Sequence, residues 1–221
     1  MLARERALSR SGLRAVAGVD EVGVGPLAGP VVAAAVILPT EVVIEGVHDS
    51  KTLSRKRREA LDAIIRRSAS AIGVGVVSAE EVDRINPYQA GLRAMSLAVL
   101  DLGSVPDHLL VDAREIPDTP IPQTSIIGGD RKVRVIAAAS IIAKVHRDGL
   151  MDSLDELYPD YGFGRHMGYG TRAHLEALRR IGPCPAHRQS YAPVRAAAEA
   201  QRVAREEVTT EVARNEPGAR D

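Results

Sequence analysis

The stretch Ala17 to Leu38, AGVDEVGVGPLAGPVVAAAVIL, constrains the fold of this chain more than any other. It holds two short apolar runs separated only by Gly23-Val24-Gly25-Pro26-Leu27-Ala28-Gly29-Pro30. Parallel neighbours need a crossover of a dozen or more residues, usually a helix, and a glycine- and proline-rich turn cannot provide one. Val16 to Val19 and Val31 to Leu38 are therefore expected to be antiparallel strands joined by a hairpin. The same context excludes a dinucleotide fingerprint, which must open a helix. Here Pro30 leads into the strand-like VVAAAVIL, the glycine spacing differs, and no GK[ST] follows.

Ala71 to Val77, His108 to Val111 and Gln123 to Ile127 read as further strands, being short apolar runs bounded by Gly, Pro or charge. Helices are expected from Ser54 to about Ser68, with Leu61, Ile64 and Ile65 on one face, from Pro87 to Gly103, and from about Val133 to Leu157. Helices alternating with the later strands predict an α/β layer fold with a mixed sheet, followed by a helical part from about Asp148. No internal repeat is present.

The chain has 221 residues, enough for one domain with a full core plus an appendage. Its longest apolar runs fall far short of a membrane span, and the basic N-terminus lacks the apolar stretch of a secretory signal, so a cytoplasmic protein is expected. The single cysteine, Cys184, can form neither an internal disulfide nor a zinc site alone. His146, His166, His174 and His187 show no zinc-binding spacing. Basic and acidic residues balance at 29 each, yet segment 51–67 holds seven basic residues against two acidic, and segment 131–148 five against one. Local positive patches therefore survive a net charge of zero.

Asp20 and Glu21 stand where the first apolar run meets the glycine turn, and Asp112 ends the run HLLVD in the same manner. Asp148 lies in the small-residue helix AAASIIAKVHRD together with Ser140, Lys144 and Arg147. Clustered carboxylates supply hard oxygen ligands, and two divalent cations held by them can cleave a phosphodiester. Adjacent strand residues face opposite ways, so Asp20 and Glu21 are expected to share a site through a bend or bulge in the strand.

In chain order, GVDEVGVGPLAGPVVAAAVIL, DSKTLS (Asp49 to Ser54), LLVDA, GGDRKVRVIAAASIIAKVHRD, YGFGRHMGYGT and HRQSYAP resemble the bacterial type 2 ribonucleases H, the ribonuclease HII family, over about Ala17 to Pro193. The resemblance implies a ribonuclease H-like fold, a mixed five-stranded sheet flanked by helices with a helical C-terminal part. Residues 1–15 would be an N-terminal extension, 16–193 the catalytic domain, and 194–221 a charged tail, partly helical or disordered. It implies an endoribonuclease that cleaves the RNA strand of RNA–DNA hybrids and single ribonucleotides embedded in duplex DNA, leaving a 3′-hydroxyl and a 5′-phosphate. Matched residue by residue, the family's metal-binding carboxylates fall on Asp20, Glu21, Asp112 and Asp148, which would hold two Mg²⁺ or Mn²⁺ ions. Lys51 matches the lysine beside the scissile phosphate, and Tyr169 the tyrosine that stacks on the sugar. The residues agree with these roles. Backbone amides of Gly23, Val24 and Gly25 can approach a 2′-hydroxyl where side chains would collide, Lys144 and its basic neighbours can hold phosphates, and Tyr169 is a flat platform.

Two positions depart from the family pattern. Val24 replaces the usual arginine of the turn and Met167 the usual lysine before Gly-Tyr, so weaker binding with a flatter salt dependence is expected. A monomer without membrane contact is expected. The other readings are a catalytically weakened hybrid-binding protein and a resolvase-like nuclease acting on DNA; four retained carboxylates speak against the first, and the glycine turn against the second.

Overall fold

The computed structural model describes residues 2–47 and 50–215. Among them, five strands form one sheet: β1 (Val16–Val22), β2 (Val31–Ile37), β3 (Ala71–Val77), β4 (His108–Asp112) and β5 (Gln123–Ile126), in the order β3-β2-β1-β4-β5. β1, β2 and β3 pair antiparallel, while β4 lies parallel to β1 and β5 parallel to β4. The hairpin and the mixed sheet are thus as the residues predict. β1 continues through both carboxylates to Val22, and its register with β2 is regular there, Asp20 opposite Ala34 and Glu21 opposite Ala33. No bulge brings the two side chains to one face.

The helices are α1 (Ala3–Arg10), α2 (Arg55–Ser68), α3 (Ala79–Ile85), α4 (Pro87–Leu100), α5 (Arg134–Leu157), α6 (Phe163–His166), α7 (Arg172–Ile181) and α8 (Ala192–Asn215). Local chemistry starts several of them. Ser54, Ser78, Asn86 and Thr171 each accept a hydrogen bond from a first-turn backbone N–H, caps worth about 1 kcal/mol apiece. Even-numbered residues of β2 face α5 and α2 in one core with Leu61, Ile65, Ile136 and Ile142. The odd-numbered ones face α4 in a second core with Met95, Val99 and Leu109. A third cluster joins Leu27 and Ala28 of the glycine turn to Met151, Phe163, Leu178 and Val194, so the C-terminal helices pack on the turn itself.

Gly18 sets the distance between sheet and α5. A Cβ there would meet the Val135 carbonyl carbon at 2.2 Å, so only glycine lets the helix backbone rest on β1. α1 closes the same, N-terminal end of α5: buried Glu5 accepts a hydrogen bond from Val135 N at 2.8 Å and pairs with Arg134 Nε at 3.5 Å. A carboxylate at a helix N-terminus satisfies a backbone donor that otherwise lacks an intrahelical partner.

Candidate active site

Asp20 and Asp112 end neighbouring parallel strands. Val19 pairs with Val111, so the next residues of β1 and β4 stand side by side on the α5 face, where strand spacing is about 4.8 Å. Asp20 is buried, takes the Glu21 amide on Oδ1 at 2.8 Å, and hydrogen-bonds Ser140 of α5. Ser140 in turn shares a 2.8 Å hydrogen bond with Ser50. Burial first, then the charges of Glu21 and Asp112, push the Asp20 carboxyl well above the usual carboxylate range. Glu21 points to the opposite face, toward α4, with Arg114 Nη1 3.6 Å from its Oε1. Asp20 and Glu21 thus stand on opposite faces of the sheet at the end of β1, where β4 has stopped.

The chain turns sharply after Asp112. Ala113 adopts φ +55°, and Arg114 N donates to Asp112 O at 2.6 Å. Such a left-handed alanine is strained by about 1 kcal/mol. Asp112 Oδ1 accepts a 2.6 Å hydrogen bond from Gly129 N, which draws the turn after β5 over the end of β4. The residue after Gly129 is Asp130, buried at 5% exposure in the short helical turn Gly129–Arg131. Sequence reasoning missed it, although the signal was present: Ser-Ile-Ile-Gly-Gly-Asp repeats the pattern of an apolar run, a flexible backbone and an acid.

Asp148 sits elsewhere. It lies eight residues beyond Ser140, about 12 Å along the helix axis, and its oxygens engage Lys144 Nζ at 2.5 Å and Arg58 Nη2 at 3.3 Å. The charges acting on Asp20 are those of Glu21 and Asp112. The structure therefore sets Asp20 and Asp112 side by side at the ends of β1 and β4, with Glu21 on the opposite face and the turn that carries Asp130 tied to Asp112 through Gly129 N, while Asp148 joins Lys144 in a buried ion pair. The side chain of Lys51, and Asp49 of the DSKTLS motif, lie outside the described residues.

The glycine turn borders the acidic group, continuing from β1. It is stitched to two loops: Leu27 N donates to Gly168 O at 2.8 Å, Gly29 N to Ala186 O at 2.9 Å, and Arg188 N to Leu27 O at 2.9 Å. These bonds bring Tyr169, 45% exposed, alongside the turn. His174 Nδ1 holds the Tyr169 carbonyl at 2.9 Å. Met167, with φ +52°, turns its carbonyl toward Arg147 Nη1 at 3.0 Å. Cys184 is buried beside His187.

The donor set fits a hard divalent cation. Oxygen ligands dominate, and the burial and neighbouring negative charges that raise Asp20 are what a bound cation offsets. Among the described residues no three His, Cys, Asp or Glu side chains stand close enough together to hold a metal ion as they are placed.

A five-stranded mixed sheet of this order, with carboxylates at the ends of its central strands and a helix laid across them, defines an α/β protein of the ribonuclease H-like class. The ribonuclease HII family model matches residues 17–194. Ribonuclease HII of Geobacillus kaustophilus is 56% identical over 191 residues, 86% of this chain and 73% of that protein, and the Bacillus cytotoxicus enzyme is 55% identical over the same length. The chain belongs to the ribonuclease HII family and is a ribonuclease H enzyme. Among solved structures, ribonuclease H2 from Pyrococcus horikoshii superposes with TM-score 0.71 at 26% identity, over 85% of this chain and 98% of that one. The ribonuclease HII of Archaeoglobus fulgidus, solved in complex with PCNA, gives 0.63 at 30% identity, over 75% and 87%.

Proposed function

We propose that this enzyme, an endoribonuclease of RNA–DNA hybrids, hydrolyses the RNA strand, single ribonucleotides within duplex DNA included, at a divalent-metal centre bordered by Asp20, Glu21, Asp112 and Asp130. The observation that carries the reading is the adjacency of Asp20 and Asp112 at the ends of parallel strands, with Gly129 N tying the Asp130 turn onto Asp112. Two Mg²⁺ or Mn²⁺ ions, when bound, would acidify the attacking water and stabilise charge on the departing 3′-oxygen. Asp20 is held in place by Ser140 and its neighbouring amide. The turn Gly23 to Gly25 offers backbone to the 2′-hydroxyl, and Tyr169 offers a ring to the adjoining sugar. Lys144 and Arg58, neutralising Asp148, line α5 and α2 on the side where Lys51 follows Ser50, and sustain positive potential for the phosphate chain. Product ends would be a 3′-hydroxyl and a 5′-phosphate.

No helix among the described residues is long and apolar enough to cross a membrane. A cytoplasmic monomer agrees with this reading.

The test compares Asp20→Asn, Asp130→Asn and Asp148→Asn on a full hybrid, a single-ribonucleotide duplex and an all-DNA duplex, with metal and with chelator. Mn²⁺ binding to each protein is followed separately by calorimetry. Asp20→Asn and Asp130→Asn should abolish cleavage of both ribonucleotide substrates and weaken Mn²⁺ binding, whereas Asp148→Asn retains the Mn²⁺ isotherm. Wild-type turnover by Asp130→Asn would return the assignment to Asp148, and cleavage of the all-DNA duplex would favour a resolvase-like enzyme.

A further inference from the structure

Five carbonyl oxygens of the glycine turn are held by two buried guanidinium groups. Arg188 donates from Nη2 to Gly23 O at 2.6 Å and to Gly29 O at 2.8 Å, from Nε to Gly29 O at 3.0 Å, and from Nη1 to Val24 O at 2.9 Å. Arg147 donates from Nε to Pro30 O at 2.9 Å and from Nη2 to Ala28 O at 3.2 Å. Both arginines have no solvent exposure. A buried arginine ordinarily faces a carboxylate, because an unpaired charge in the interior is strongly unfavourable. Here every hydrogen bond from either guanidinium, among the described residues, goes to a backbone carbonyl, except that of Arg188 Nη1 to Tyr191 Oη at 3.1 Å. Tyr191 itself donates to Val24 O at 2.6 Å. So much buried charge directed at one turn calls for a reason beyond packing.

Peptide geometry supplies it. In a trans peptide the carbonyl and the following N–H point in opposite directions. Drawing Gly23 O and Val24 O inward onto Arg188 therefore turns the amides of Val24 and Gly25 outward. Among the described residues those two amides donate to no backbone acceptor, whereas Leu27 N and Gly29 N of the same turn are bonded to neighbouring loops. Gly25 is exposed, with open space where a Cβ would stand. Gly23 must lack a side chain both for its φ of +89° and because a Cβ would meet Arg147 Nε at 2.2 Å.

We infer that Arg188 is a positioning residue for sugar recognition: by gripping Gly23 O and Val24 O it presents the Val24 and Gly25 amides as a fixed pair of donors to a ribose 2′-hydroxyl. The inference rests on the reading of the turn as the sugar reader. It also explains why valine serves at position 24, since the contact is made by the peptide and the side chain is free to vary.

The experiment measures, in Ca²⁺, the affinity of the whole protein for a duplex with one ribonucleotide divided by its affinity for the same duplex in all-DNA form. Amide shifts of Val24 and Gly25 on binding are recorded by NMR. Arg188→Lys keeps the charge but loses the fork, and should lower the ratio roughly tenfold with all-DNA affinity unchanged. Tyr191→Phe removes only the hydroxyl on Val24 O; it should fold regardless and lower the ratio about fivefold. In both variants the ribose-dependent amide shifts should shrink. A ratio and shifts unchanged in Tyr191→Phe, and in Arg188→Lys where it folds, overturn the positioning role while leaving the sugar-reading turn intact. A wild-type ratio of one, with no ribose-dependent shift at Val24 or Gly25, overturns the sugar-reading turn and the inference together.

Discussion

His174 and His187 meet Nε2 to Nε2 at 2.9 Å in the interior of the C-terminal helical part, an arrangement in which one ring must donate and the other accept. The flanking bonds assign the tautomers. His174 Nδ1 must donate to the Tyr169 carbonyl, so its Nε2 accepts. His187 Nε2 therefore donates, leaving its Nδ1 to accept from Cys184 N at 3.0 Å. Burial, then the neighbouring His174, bring the His187 pKa down to about 4. An unfolded histidine titrates near 6.5, so this stabilisation is fully present above that pH and is lost as pH falls toward 4, by on the order of 3 kcal/mol. Urea unfolding at pH 7.5 and 4.5 should show that loss in the wild type and a shallower one in His187→Gln. Equal acid sensitivity in the two proteins would show that this pair does not govern it.

Asp20 carries the opposite sign. Its folded-state pKa is raised by burial and by Glu21 and Asp112, so the metal-free fold is favoured with Asp20 protonated and loses stability as pH climbs through that raised value. Asp20→Asn keeps an acceptor for the Glu21 amide and removes the charge. In chelator at neutral pH it should melt higher than wild type, and Mn²⁺ should raise its melting temperature less. A lower melting temperature in chelator would mean that the charge is compensated in the metal-free fold.

Val24 is half-buried at the rim of the turn, packed against the core between the sheet and α4. Val24→Arg would add a cation at the mouth of the site without disturbing the inward carbonyls. Affinity for a single-ribonucleotide duplex should rise at low salt, and the slope of log affinity against log salt should steepen by about 0.9, one added phosphate contact. Unchanged affinity and slope would show that no phosphate passes within reach of position 24.

The docking of α1 can be tested by Glu5→Ala. This change leaves Arg134, itself buried, without the carboxylate 3.5 Å away, and Val135 N without its acceptor. Removing one partner of a buried pair destabilises by about 3 kcal/mol, on the order of 6–12 °C in melting temperature for a chain of this size. Differential scanning calorimetry measures it. A shift below 2 °C would mean that α1 is dispensable.

Local chemistry made much of this molecule legible in advance. The turn between β1 and β2 is too short for anything but antiparallel pairing, and α2, α4 and α5 follow from apolar spacing, because those signals act over a few residues. Asp20, Glu21 and Asp112 could be singled out because each stands at the end of an apolar run. Tertiary structure alone decided the rest. Asp130 and Asp148 are both acids in one continuous motif, and only the tertiary structure shows that the turn before the first is tied to Asp112 while the second is paired with Arg58 from α2. Likewise Arg188 is more than 150 residues from the turn it grips, and Glu5 is 130 from Val135. Residues distant along the chain become neighbours through packing in which every element takes part, and no short pattern records it.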